Sequence, residues 1–230
     1  VSEADLIIAV GTRFGDRSTG PLSGFAQNAD VIHIDVDPAE IGKNVPAYLP
    51  IVGDSADILP RLAEQLAHTP STETDIEWKE GILSSAGEAP EKTEEGEDLS
   101  TIAILEHAAE YYRDSILATD VGRHQIYAAR FFPVSAGRTF ISSGGLGTMG
   151  FGLPAAIGAS IARPDAHVLL VSGDGSFLMN NQELVTAAEA GVNVTALIIN
   201  DSRLGMIQQL QDEFYGARFD VSKFPKDIRF

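Results

Sequence analysis

The stretch from Gly173 to Met206, GDGSFLMNNQELVTAAEAGVNVTALIINDSRLGM, leaves this chain few folds to choose from. An apolar run, Val168-Leu169-Leu170-Val171, leads into Gly173-Asp174-Gly175. A second run, Ala196-Leu197-Ile198-Ile199, delivers Asn200-Asp201. Between Gly175 and Asn200 lie 24 positions, residues 176 to 199, room for a helix ending near Gly191 and then a strand. Two strands joined by such a crossover lie parallel in one sheet. Both aspartates then sit at carboxyl ends of strands, where open α/β sheets bind ligands.

That placement suits a particular chemistry. Magnesium prefers oxygen ligands in octahedral array and commonly takes one or two carboxylates plus substrate phosphates. Asp174 and Asp201 offer the carboxylates, and Gly175 lets a diphosphate approach the backbone. The pattern resembles the cofactor motif of thiamine diphosphate (ThDP) enzymes: Gly-Asp-Gly, some two dozen residues, then an asparagine pair. Gly-Asp-Gly alone is also a turn signal, so the alternative is an ordinary strand–helix–strand unit with turn aspartates.

The remaining pattern is α/β, two Rossmann-like, doubly wound parallel-sheet domains. Ala4 to Val10 reads as a buried strand by its continuous apolar run, ending at Gly11-Thr12-Arg13. Residues 31–36 form a second strand with Asp35 and Asp37 at its tip, and Ile51-Val52-Gly53-Asp54 a short third. Asp57 to Leu66 reads as a helix with Ile58, Leu59, Leu62 and Leu66 on one face. Residues 1–68 make one domain. Residues 69–99 form an acidic linker, in which Ile76, Trp78, Ile82 and Leu83 suit a short docked helix and Ser84 to Asp98 stays solvated. Residues 100–230 make the second domain. In it, Ile102 to Tyr112 is helical, Ile116 to Thr119 is a strand, and Asp120 to Gln125 opens a helix through Phe131. Thr139 to Ser142 is a strand before a loop with five glycines, which allow positive φ and close backbone approach. Pro154 suits a first helical turn. Asn180 and Glu183 suit a capping box, and Gly191 a helix end. The stretch from Asp212 to Phe230, with Pro225, carries no closing element.

Composition excludes several classes. The net charge of −17, from 33 acidic and 16 basic residues, repels nucleic acid and anionic membranes. No apolar run reaches the ~20 residues of a membrane span, and no leader pattern stands at the start, so a cytoplasmic protein is expected. Cysteine is absent, which excludes thiolate chemistry. Lysine is scarce, limited to Lys43, Lys79, Lys92, Lys223 and Lys226. Such a surface suits concentrated salt; the alternative is a moderately acidic chain whose charge collects in the linker.

The run from Ser142 to Gly158, SSGGLGTMGFGLPAAIG, carries a more specific likeness. With Gly11 to Arg17 (GTRFGDR), His33 to Pro38 (HIDVDP) and Val52-Gly53-Asp54, the chain resembles the large catalytic subunits of the acetolactate synthase (acetohydroxyacid synthase) family over nearly its whole length. The resemblance implies that residues 1–68 are the second half of a central domain and that residues 100–230 are a C-terminally incomplete diphosphate domain. It implies that the chain is a fragment lacking the pyrimidine-binding domain and its cofactor-activating glutamate, hence inactive alone. Bound ThDP would supply the electron sink for decarboxylating pyruvate and joining it to a second 2-keto acid, giving 2-acetolactate.

By matching positions, Asp174, Asp201 and the backbone carbonyl of Arg203 would hold Mg2+. His124, Gly147, Gly175 and Ser176 would lie at the diphosphate. Met149 would wedge the bent cofactor and Met206 would border the active site; either methionine also suits plain core, and His124 also suits a helix cap. Gly11, Thr12, Arg13, Asp35, Val36 and Asp54 match positions that contact FAD, or are simple strand-end turns. The family implies a homodimer or tetramer with active sites at the interface, and a small regulatory subunit. Other ThDP enzymes share the scaffold, among them glyoxylate carboligase, sulfoacetaldehyde acetyltransferase and 2-keto acid decarboxylases. A nucleotide-binding module without catalysis is the alternative from another class.

Four positions depart from the family pattern. Asp201 replaces an asparagine and Arg123 a glutamine, two changes of opposite charge expected to offset each other. Leu210 stands where a tryptophan helps select the second keto acid, which leaves acceptor preference open. Gly15 replaces an aspartate near the flavin positions.

Overall fold

The computed structural model describes residues 3–70, 73–86, 100–134, 137, 139–219, 221–224 and 229–230. It divides into two compact units, Val1–Pro90 and Glu91–Phe230. In the first, β1 (Leu6–Val10), β2 (Asp30–Asp35) and β3 (Leu49–Val52) make a parallel sheet in that order. A one-turn helix α1 (Asp16–Thr19) follows β1, and α2 (Ser55–Leu66) follows β3. The small core gathers Ala9, Phe14, Val31 and Val45, with the buried His33 ring edge-on to Phe14 at 5.1 Å.

β1 is not the buried strand its composition suggests. Leu6, Ile8 and Val10 are 47%, 42% and 37% exposed, while the alternating Ala9 is buried. The strand period sends those three to one face, and no described element of this unit covers it. Likewise, Ile58 and Leu62 of α2 are half-buried but Leu59 and Leu66 are exposed. Part of the expected linker is helical: α3 (Glu73–Ala86) carries Ile76, Trp78, Ile82 and Leu83, all exposed. Residues 87–99 of that linker lie outside the described residues.

The second unit is doubly wound. Helix α4 (Thr101–Tyr112) starts at Ser100, whose hydroxyl accepts the Ala103 amide at 3.1 Å. β4 (Ile116–Thr119), α5 (Arg123–Phe131), β5 (Phe140–Ser142), α6 (Gly152–Ala162) and β6 (Val168–Gly173) follow. Then come α7 (Asp174–Asn180), α8 (Glu183–Glu189), β7 (Val194–Ile199) and α9 (Gly205–Tyr215). All strands are parallel in the order β5-β4-β6-β7. Central strands β4 and β6 feed both faces by alternation. Ile116, Ala118, Val168 and Leu170 pack with Leu153, Ala156 and Ile157 of α6. Leu117, Leu169 and Val171 pack with Leu105 and Ala109 of α4 and Ala128 of α5. Each fully buried leucine or isoleucine contributes about 1.5–3 kcal/mol of transfer free energy. Asp212 to Tyr215 is the last turn of α9, which Gly216 closes in the left-handed conformation.

The single helix expected between Gly175 and Gly191 is two. α7 begins at Asp174 with no intervening loop, and Asn181–Gln182 breaks it from α8. The expected capping box does not form. The Asn180 side chain donates to Gly150 O at 2.8 Å and accepts from the Gln182 side chain at 3.3 Å, Glu183 accepts from the Thr186 hydroxyl, and α8 starts after Gln182 with no side-chain cap.

Candidate functional site

From β4 the chain passes to one side of the sheet for β5 and to the other for β6. The segments leaving β4 and β6 therefore diverge at their carboxyl ends, the geometry that opens a crevice in doubly wound sheets. Asp120, His124 and Asp174 all stand there. On the far side of β6, the β6–β7 ladder runs to the pair Gly173–Ile199, so Asp174 and Asn200-Asp201 emerge from adjoining strand ends. The two aspartates singled out from spacing are brought together as that spacing requires.

Asp174 is 1% exposed. Its Oδ1 accepts the Gly175 amide at 2.7 Å, but its Oδ2 is buried with no hydrogen-bond partner among the described residues. Burial raises its pKa. The Gly175 amide works against the rise, negative Asp201 adds to it, and the amides of Ser202 and Arg203 lower it. A buried carboxylate oxygen without a donor, beside a second carboxylate, is what a hard cation would satisfy. Asp201 is half-buried, and its Oδ2 meets Arg123 Nη2 at 3.0 Å and Arg203 Nε at 3.6 Å. Arg203 Nε also donates to the Asp201 carbonyl at 3.0 Å. No three His, Cys, Asp or Glu side chains converge among the described residues. The donor set thus fits a magnesium ion that draws its other ligands from backbone and phosphate.

Gly175 stands where the space for a side chain is already taken. A Cβ there would lie 2.5 Å from Leu204 Cδ2 and 3.1 Å from Phe224 Cζ, so the segment after β7 closes directly over it. That segment is held by Leu204 N donating to Ser222 O at 2.8 Å and Phe224 N to Ser202 O at 2.9 Å. Ser176 is buried and donates its hydroxyl to Val121 O at 2.7 Å, tying α7 to the segment after β4. Met149 and Met206 are half-buried, in the loop before α6 and in the first turn of α9, and Gly147 is exposed in that loop with φ +66°.

His124 is 6% exposed and works as a bridge. Its Nε2 accepts the Gly173 amide at 3.2 Å, and a hydrogen bond to the Asp120 backbone engages the ring from the other strand end. Burial lowers its pKa from 6.5 to about 4, against the opposing influence of Asp120. Between pH 6.5 and about 4 the unfolded chain takes up a proton here that the folded chain refuses. Stability is therefore unpenalised above 6.5 and falls with acidity, by roughly 3 kcal/mol across that window. Denaturant titrations at pH 7 and pH 4.5 should show this loss in the wild type and a smaller one in His124→Asn. An equal acid loss in both would contradict it.

Sequence reading passed over Asp120 as a site residue. It is 1% exposed, and its carboxylate accepts three backbone amides: Val121 at 2.8 Å, Gly150 at 2.9 Å and Gly152 at 2.9 Å. It thereby fixes the glycine-rich loop to the end of β4. The available signal was an aspartate ending an apolar strand, with a glycine-rich loop some thirty residues on whose amides needed an acceptor.

In the first unit, the candidate flavin residues gather at strand ends. Gly11 follows β1 with its amide on Ile34 O at 2.9 Å, and the Thr12 carbonyl meets His33 Nε2 at 3.0 Å. The Arg13 carbonyl accepts from the Asn44 side chain at 2.8 Å. Asp35 ends β2 and accepts the Asp37 amide at 2.8 Å, and Val36 beside it is exposed. Asp54 caps α2 through the Ala56 amide at 2.8 Å. Gly11, Thr12 and Arg13 engage their neighbours here through backbone groups, whereas Asp35 and Asp54 hold turns through their carboxylates. No helix among the described residues is long and apolar enough to cross a membrane.

Comparison with known proteins agrees with this geometry. Residues 120–230 match the C-terminal TPP binding domain of thiamine pyrophosphate enzymes, and residues 1–62 match the central domain of the same enzymes. Among curated relatives, the probable acetolactate synthase large subunit of Methanocaldococcus jannaschii is 43% identical over 228 residues, covering 95% of this chain and 38% of the relative. The acetolactate synthase large subunit of Porphyra purpurea is 45% identical over 226 residues, covering 97% and 38%. That of Corynebacterium glutamicum is 41% identical over 227 residues, covering 97% and 36%. The chain thus spans less than two-fifths of the length of the relatives it matches. Carrying a thiamine pyrophosphate central domain followed by the matching C-terminal binding domain, it belongs to the thiamine pyrophosphate enzyme family.

Proposed function

We propose that this chain is the cofactor-anchoring part of a ThDP-dependent carboligase that decarboxylates pyruvate and condenses it with a second 2-keto acid to 2-acetolactate. The observation that carries the reading is the buried Oδ2 of Asp174, which has no hydrogen-bond partner among the described residues and stands beside Asp201. The names of relatives 41–45% identical supply the reaction class. Asp174, Asp201 and the Arg203 carbonyl hold Mg2+, and Gly147, Gly175 and Ser176 border the diphosphate. Met149 and Met206 meet the organic part of the cofactor. His124, engaged from both strand ends, acts by keeping those ends in place. When bound, ThDP supplies the electron sink for decarboxylation and carbon–carbon bond formation. FAD is the ligand suited to Gly11, Thr12, Arg13, Asp35, Val36 and Asp54 at the ends of the first sheet. The working enzyme is a cytoplasmic homodimer or tetramer acting on 2-keto acids, with a small regulatory subunit.

Two measurements on the intact polypeptide test this. Calorimetry should show ThDP binding that requires Mg2+, and incubation with pyruvate alone should yield acetolactate. Acetaldehyde as the product would assign a decarboxylase on the same scaffold. Absence of magnesium-dependent binding would overturn the cofactor reading altogether.

A further inference from the structure

The ion pair at the mouth of this site crosses a strand. Arg123 is the first residue of α5, at the end of β4; Asp201 follows β7. β6 lies between those strands, so the pair passes over the end where Asp174 sits. The guanidinium is held from two sides. Nη2 meets Asp201 Oδ2 at 3.0 Å, and a Cβ added to Gly205 would lie 2.7 Å from Arg123 Nε, so the backbone of α9 backs the group closely. Among the described residues, only Oδ2 of the Asp201 carboxylate carries side-chain partners, Arg123 and Arg203.

We infer that Arg123 is a positioning residue that sets the charge of the site through Asp201, engaging Oδ2 so that Oδ1 alone is presented to a divalent cation. This rests on the proposed cofactor reading and deepens it. Without Arg123, two carboxylates would face one another across adjoining strand ends with only the more distant Arg203 against them. Extra negative charge attracts a divalent cation and repels an anionic diphosphate, so metal and cofactor affinities should respond in opposite directions. With Arg123 in place the pair is neutral, and the carboxylate serves both ligands. The two side chains remain 35% and 26% exposed, so solvent moderates the effect without removing it.

The test is a double-mutant cycle in the intact polypeptide, read by binding. Mn2+ affinity without ThDP is followed by electron paramagnetic resonance, and ThDP affinity at saturating Mg2+ by calorimetry. R123Q should bind Mn2+ more tightly and ThDP about tenfold more weakly. D201N should bind Mn2+ more weakly. R123Q/D201N should recover most of the ThDP affinity lost in R123Q, and R123K should stay close to wild type because it keeps the charge. A loss of both affinities in R123Q by one factor would mark the pair as structural and overturn the inference. Strictly additive effects across the cycle would overturn it too. Failure of the wild-type polypeptide to bind ThDP at all would instead remove the proposed function, and this inference with it.

Discussion

Asp174→Asn is expected to weaken magnesium-dependent ThDP binding by about a hundredfold or more while making the ligand-free protein more stable by about 1 kcal/mol. The two effects share one cause. A carboxylate that is 1% exposed, with one oxygen lacking a donor among the described residues and a second carboxylate nearby, is costly to bury charged. Its raised pKa carries the same sign: the folded state prefers the protonated group, so the cost appears as pH rises above the ordinary carboxyl value of 3.8 and persists at pH 7. Asparagine removes the charge and with it the means of gripping a hard cation. Thermal melts with and without Mg2+ and ThDP should show a higher midpoint than wild type without ligands and little upward shift when they are added. A variant less stable than wild type without ligands would show that the carboxylate serves the fold rather than a metal.

Asp120→Ala should cost about 3–5 kcal/mol of stability, a large fraction of what a domain of this size possesses. Three backbone amides converge on that carboxylate, and alanine would leave those of Val121, Gly150 and Gly152 without an acceptor at a site closed to water. Gly150 lies just before α6 and Gly152 is its first residue, so the loss should spread into the packing of Leu153 and Ile157 with Leu170. Urea denaturation is the direct measure, and Asp120→Asn, which keeps acceptor capacity in one oxygen, should lose less. If alanine were tolerated within 1 kcal/mol, the glycine-rich loop would have to be held by other means, of which the Asn180 side chain on Gly150 O is the nearest.

Much of this site was legible because strand ends are legible. The apolar runs at Val168 and Ala196 mark β6 and β7, and the interval between them implies a parallel crossover, so Asp174 and Asp201 could be placed side by side from spacing alone. Ile116 to Thr119 was readable for the same reason. What escaped depends on partners distant in sequence. The amides that Asp120 collects lie about thirty residues away, and no local pattern announces them. Reading Asn180 as a cap put a helix start beside the break at Asn181–Gln182; what the sequence did not show is that Asp174 to Asn180 is itself helical and that the Asn180 side chain is engaged by Gly150. The exposure of β1 was missed because an unbroken apolar run does not say how many faces have a neighbour.

The absence of any linker between β6 and α7 has a mechanical corollary. One carboxylate is welded to the central strand, since Gly173 is the last rung of the ladder and Asp174 is already helical. The other hangs on a short span that an isolated bridge, Arg203 to Lys223, ties down and the Arg123 ion pair braces, and that includes Ser202 at φ +53°. An added or deleted residue at the first position would rotate the helix by about 100° and swing its acid out of the crevice, because no slack exists to absorb it. The same edit after β7 would be shared along the span. Tolerance to insertion should therefore differ sharply between two neighbouring acids that composition alone would treat as equivalent.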